Sequence, residues 1–430
     1  MKSTIFRTAA GLGAVAVILG ASACSSPSEP ATTAAPETSA SPMETESATA
    51  SMLEPSGTGD PFADARTAAS HMPMTATTLA GGFVTALDIP GDAESDAATL
   101  RADLTALLQE HVYLAGMAVA TAYHASPESA QFEAAAAALD TNSVDLSEAV
   151  ASLSDEEQGA AFLALWREHI GFFVDYAVAV KGGDQAAADT AMMELNGYTE
   201  EAGAFFESVS GGELPAAAIA ENLMMHVETL SAAIDAFAAG DPDATDLLQE
   251  AAGHVVMSAE TLSTGLAAAA GLEGDVSDEA SALRSSLVAG LQEHVYLAGI
   301  TVFTAYSAEG GIESPAFEGA AATLDANSVA LSEAIGSLAG DENGTAFLEL
   351  WREHIGFFVD YAVAIAGGDT AAADQALTDL DQYRPTAGDF FEEISGGELP
   401  SDAIAESLGM HVETLAGAID SLKEQLVDAG

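Results

Sequence analysis

The chain holds one cysteine in 430 residues, so a disulfide framework is excluded. Basic residues are also scarce. Ten Lys and Arg stand against 67 Asp and Glu, for a formal net charge of -57. Nucleic acid and anionic lipid surfaces would be repelled, and cations would be attracted. The plain reading of such charge is a strongly solvated surface. Aromatic residues make up only 6% of a chain that is 49% apolar, and alanine is abundant. That composition suits closely packed helices, because Ala loses little entropy in them. No stretch shows convincing strand alternation.

Several catalytic signatures are missing as well. There is no Glu-x-x-His of the ferritin-like di-iron kind. Neither His-Glu-x-x-His nor Cys-x-x-Cys-His occurs, and there is no phosphate-cradling loop and no Gly-x-Ser-x-Gly elbow. No nucleophile accompanies the histidines. The expectation is a protein that is not an enzyme.

What is present begins with an address. Lys2 and Arg7 precede an apolar run from Gly11 to Gly20, then Ala21-Ser22-Ala23, then Cys24. The run is too short to span a bilayer as a mature helix. This layout resembles a bacterial lipoprotein signal, which implies removal of residues 1–23 and lipidation of Cys24. It departs from the usual pattern in having Ala21 where Leu is common. The implied location is the outer face of the bacterial cell membrane. Residues 24–60 are rich in Ser, Thr, Pro and Glu without hydrophobic periodicity, and read as a disordered tether.

The rest is a tandem duplication. Leu108–Gly116 recurs as Leu291–Gly299, and Leu165–Ala179 recurs as Leu350–Ala364. Ser210–Pro215 and His226–Leu230 recur as Ser395–Pro400 and His411–Leu415. The offset changes from 183 to 185 near residues 309–312, marking a two-residue insertion. The copies span 61–241 and 242–430. Turn signals such as Lys181-Gly-Gly-Asp184 and Gly240-Asp-Pro242 divide each copy into about six apolar-periodic segments. The predicted fold is all-α, two tandem antiparallel bundles of about six helices each. Within each copy Leu107-Leu-Gln-Glu-His111, Leu165-Trp-Arg-Glu-His169 and Leu223-Met-Met-His226 form a weaker repeat. It is similar to small secreted bacterial helical proteins with three Leu-Leu/Trp-x-x-His helices. That resemblance supports the fold and implies no activity.

Eight of nine histidines fall into matched pairs: His71/His254, His111/His294, His169/His354 and His226/His411. His124 faces Ser307 in the other copy and reads as surface. The paired His lie on apolar helix stripes, with Leu, Ala and Phe at i±3, i±4 and i+7. Such a His can be a core residue whose N–H bonds a carbonyl. A converging set can instead ligate a transition metal, since burial keeps imidazole neutral. Met74 and Met257 follow His71 and His254 at i+3, and Glu228 and Glu413 follow His226 and His411 at i+2. His with Met would favour copper, and His with Glu would favour zinc, iron or manganese. The glutamates directly before His111, His169, His294 and His354 read as solvated flanks. Arg167 and Arg352 should pair with a carboxylate, with Asp175, Asp360 or a Glu as candidates.

Three functions remain open at this point. One is a metal-binding lipoprotein using the eight paired His. Another is an envelope scaffold with structural His. The last is a carrier of haem or a small apolar ligand, using the aromatic patches around Trp166 and Tyr176, and Trp351 and Tyr361, with an apolar cavity of several hundred Å³ beside the Trp.

Overall fold

Helix boundaries fall where capping chemistry puts them. Ser95, Ser129, Asp155 and Asp184 each accept from a backbone N–H two or three residues into the following helix. Gly183, Gly240, Gly271 and Gly368 end theirs in the left-handed conformation that favours glycine. The computed structural model describes residues 53–428, so the expectations for Cys24 and the signal lie outside the described residues. Among the described residues there are helices and no strands. The first repeat contributes α1 (Pro61–Ser70), α2 (Met72–Leu87), α3 (Asp96–His124), α4 (Ala130–Leu153), α5 (Glu156–Gly182), α6 (Gln185–Val209) and α7 (Ala216–Ala239). The second contributes α8 (Ala244–Ala270), α9 (Glu279–Ser307), α10 (Pro315–Ala339), α11 (Asp341–Gly367), α12 (Thr370–Ile394) and α13 (Ser401–Lys423). α1 and α2 correspond to the single helix α8, interrupted at His71 ahead of Pro73, whose ring removes an N–H. Counting them as one rod gives the twelve packed helices.

Packing does not follow the sequence boundary between the repeats. α8 lies against α3 and α7, whereas α1 and α2 lie against α13 and α9. Each repeat therefore lends its opening helix to the other. Two matched glycines allow it. A Cβ on Gly82 of α2 would collide with Leu399 of the second repeat, and one on Gly265 of α8 would collide with Leu214 of the first. Residues 53–60, read from sequence as the end of the tether, join this packing. Leu53 is buried, the Ser56 N–H donates to the Glu413 carbonyl at 2.8 Å, and the Ser421 hydroxyl donates to buried Asp64 at 2.6 Å. Their polar composition concealed these long-range partners.

α3 and α9 pack against each other and join the two repeats. Tyr113 and Tyr296 stack with centroids 5.4 Å apart. Each phenol reaches across: Tyr113 donates to Glu293 at 3.1 Å and Tyr296 to Glu110 at 2.9 Å. Glu110 also takes two hydrogen bonds from Arg66 and one from Asn142, while Glu293 accepts from Gln249 and Asn327. Thus Glu110 is a buried interface residue, not a solvated flank, and Glu293 is mostly buried in the same way. Their local pattern could not show which helix would cover them.

Candidate metal centres

Three helices of each repeat bring one His to a shared axial point. α3, α5 and α7 supply His111, His169 and His226, and α9, α11 and α13 supply His294, His354 and His411. All six are buried. In each set one ring nitrogen per residue lies within 4.8 Å of the others. Three nitrogens held ~2.0–2.1 Å from one ion sit about 3.3–3.6 Å apart in tetrahedral or trigonal geometry. The Nε2 atoms of His294 and His354 are already 3.3 Å apart. The remaining contraction is at most about 1.5 Å, within reach of small side-chain rotations.

Ring packing fixes these imidazoles. His111 and His169 have centroids 5.4 Å apart, and His294 and His354 5.3 Å. Tyr198 of α6 stacks on His169 at 4.6 Å, and Tyr383 of α12 stacks on His354 at 5.0 Å. Trp166 and Trp351 meet His169 and His354 edge-on, both at 4.5 Å. The two tyrosines escaped the sequence reading, although both copies carry Tyr at this position.

Most ring nitrogens of the triads lack partners, the exception being the Nε2 pair of His294 and His354. Both ring nitrogens of His111, His169 and His226 are buried and lack a hydrogen bond, as are the Nδ1 atoms of His294, His354 and His411. A neutral imidazole has one N–H donor and one acceptor nitrogen. Leaving such a group buried and unsatisfied costs on the order of 1–3 kcal/mol. A structural core His would have spent its N–H on a carbonyl. Burial also holds the rings neutral. It pushes His111 and His294 down to about 3, and His226 and His411 to about 4. His169 and His354 lie well below the usual imidazole range, from burial first and then from the neighbouring His. The Trp166 and Trp351 carbonyls oppose that shift without satisfying either Nδ1. Neutral imidazole is the form that ligates metal.

The fourth pair of histidines does not join. His254 comes from the exchanged helix α8, near His226, and its Nε2 is 3.0 Å from the Asn222 carbonyl oxygen. It is a hydrogen-bonded packing residue. His71 stands near His411 at the α1–α2 break, partly exposed. Periodicity placed four His on apolar stripes but did not show that α1 and α8 would cross to the other repeat. The accessory groups face away too. Met74 and Met257 are 59% and 62% exposed, Glu228 is exposed, and Glu413 is partly exposed. Each ligand set is therefore three imidazoles, without sulfur or carboxylate.

The aromatic patches are occupied by packing. Tyr176 and Tyr361 donate to Asp235 at 2.9 Å and Asp420 at 2.8 Å. The cavity touching Trp166 is only about 50 Å³, well below the ~300–1,000 Å³ of small-molecule sites, so it is too small for haem. Arg167 and Arg352 form two-pronged ion pairs with Asp140 and Asp325 on the adjacent helices, not with the acids suggested by sequence. No helix among the described residues is long and apolar enough to cross a membrane. No protein-family model, curated protein or solved structure matches the chain.

Proposed function

We propose that this is an extracytoplasmic, non-enzymatic lipoprotein, anchored through Cys24, that binds one transition-metal ion in each His triad. The observation carrying the proposal is the pair of matched, buried three-imidazole clusters, in which every ring nitrogen of the first triad and every Nδ1 of the second lacks a hydrogen-bond partner. An ion would satisfy one nitrogen on each ring. Imidazole-only sites suit zinc, copper, iron and nickel. The charge narrows that choice. No carboxylate belongs to either cluster, and the desolvation cost of an ion grows with the square of its charge. Copper(I) fits three neutral donors best, whereas zinc or iron(II) would have to bring hydroxide or another anion. The acidic surface would concentrate cations around the protein.

The test is metal content by mass spectrometry on residues 53–430, beside the His111→Ala/His169→Ala/His226→Ala variant. Two equivalents of one metal, falling to about one in the variant, are expected. The second triad serves as the internal control for folding. Absence of bound metal from both proteins, after exposure to copper(I) and zinc, would overturn the reading.

A further inference from the structure

An apolar cavity of about 200 Å³ ends on His111 of the first triad. It passes Ala115, Ala118 and Phe173 and reaches the outside beside Pro127, Val178 and Gly182, all exposed. Its wall carries almost nothing polar. The Tyr123 hydroxyl is committed to the Ala177 carbonyl at 2.9 Å. The Lys181 ammonium lies over the Tyr123 ring, 4.8 Å from its centroid, at the mouth. Of the first triad His111 lines it, and both ring nitrogens of His111 lack a hydrogen-bond partner.

We propose that this cavity admits a small neutral diatomic gas to the open coordination position of the ion at the first triad. The inference rests on the metal-binding reading for the ion and on the cavity alone for the guest. A charged or strongly hydrogen-bonding molecule would lose its water without compensation along this wall. A cavity of ~150 Å³ lined by apolar side chains stays dry and takes xenon or benzene, so this volume is sufficient. Three protein nitrogens leave one position of a tetrahedral ion free. Copper(I), the ion that the neutral donors favour, binds such gases without any other reactant. The repeats differ along this path: Ala118 corresponds to Thr301, whose hydroxyl is turned back to the Leu297 carbonyl, and Lys181 corresponds to Ala366.

The experiment has two arms on the full described chain. In the metal-free protein, xenon binding is followed by NMR in wild type, Ala118→Phe and Ala118→Thr. The Thr variant borrows the residue that the second repeat already tolerates at this place. In the copper(I)-loaded proteins, carbon monoxide binding is read from its infrared stretching band. Expected are saturable xenon binding in wild type, lost in Ala118→Phe and weakened in Ala118→Thr. The carbon monoxide band of the first site should fall at least tenfold in Ala118→Phe, with copper stoichiometry still two. Absence of xenon binding in wild type would overturn the cavity proposal, whatever the metal content. Xenon binding with a carbon monoxide band unchanged by Ala118→Phe would overturn the link between cavity and ion. Failure to load copper at all would sink the metal reading itself, and the xenon arm would still separate that failure from a closed cavity.

Discussion

Lowering the pH should destabilise the metal-free protein well before most of its carboxylates titrate. The sign follows from the triads. An unfolded imidazole takes a proton near 6.5, whereas His111 and His294 are held to about 3 and His226 and His411 to about 4 by burial. The unfolded state therefore binds more protons as pH falls through 6.5, and stability is lost down to the folded values. At pH 5 each of these four rings contributes a loss of about 2 kcal/mol, or about 8 kcal/mol together, relative to neutral pH. That is comparable to the whole stability of an ordinary domain, ~5–15 kcal/mol. Asp103, raised to about 6 by burial, works in the opposite direction. Its relief is about 1 kcal/mol at most, and less because the side chain keeps some solvent contact. Urea unfolding of metal-free protein at pH 7.5, 6 and 5 would measure this. With a slope near ~3 kcal/mol/M the midpoint should drop by roughly 2–3 M. Metal-loaded protein should resist the drop until protons displace the ion. An unchanged midpoint across this range in metal-free protein would refute the burial of neutral triads.

Other perturbations discriminate among the polar contacts. Arg66→Ala strips the cation from buried Glu110 and should cost about 3–5 kcal/mol in urea unfolding. Arg66→Gln should cost clearly less, because Gln249 holds the equivalent Glu293 in the second repeat; equal losses would show that charge, not hydrogen bonding, is what Glu110 requires. Arg167→Ala and Arg352→Ala should each shift stability by under about 1 kcal/mol despite their two-pronged geometry, since both partners are about half exposed. A larger, salt-insensitive loss would contradict that. Met74→Leu with Met257→Leu should leave metal stoichiometry and affinity unchanged, and a fall in copper uptake would restore these methionines as ligands.

Sequence periodicity carried the helices and the two triads because both are local or repeated properties. His111, His169 and His226 lie among Leu, Ala and Phe at helical spacing, and the copies repeat them at fixed offsets. The missing part is everything decided by which helices meet. His254 shares the same kind of stripe, yet its helix crosses to the other repeat and spends Nε2 on Asn222. Met74 and Met257 share a helix face with His71 and His254 by spacing, but each extends past the rim of the packed face into solvent. Glu110 sits directly before a core His, a position whose local pattern suggests a solvated flank. Only the α3–α9 packing supplies Tyr296, and only α1 supplies Arg66.

The exchange of opening helices has a consequence for the duplication itself. A single repeat, residues 53–241, contains α1–α2 but packs α3 and α7 against α8, which it lacks. Closing α1–α2 back onto its own repeat would require the short α2–α3 connection, residues 88–95, to redirect a helix that now runs to the opposite bundle. A second copy supplies the alternative. Gly82 could meet Leu214 of the other copy as it now meets Leu399, because Leu214 and Leu399 are equivalent in the two repeats. Tyr113 could stack on its own counterpart and donate to Glu110 as Tyr296 does now. Exchange of identical elements between copies is a low-cost route to dimers. Residues 53–241 alone should therefore form a helical dimer with one triad per chain, seen by light scattering coupled to size exclusion. Gly82→Leu should weaken that dimer by obstructing the contact with Leu214. A folded, metal-binding monomer that is indifferent to Gly82→Leu would show that each repeat closes by itself, and that the exchange belongs only to the joined chain.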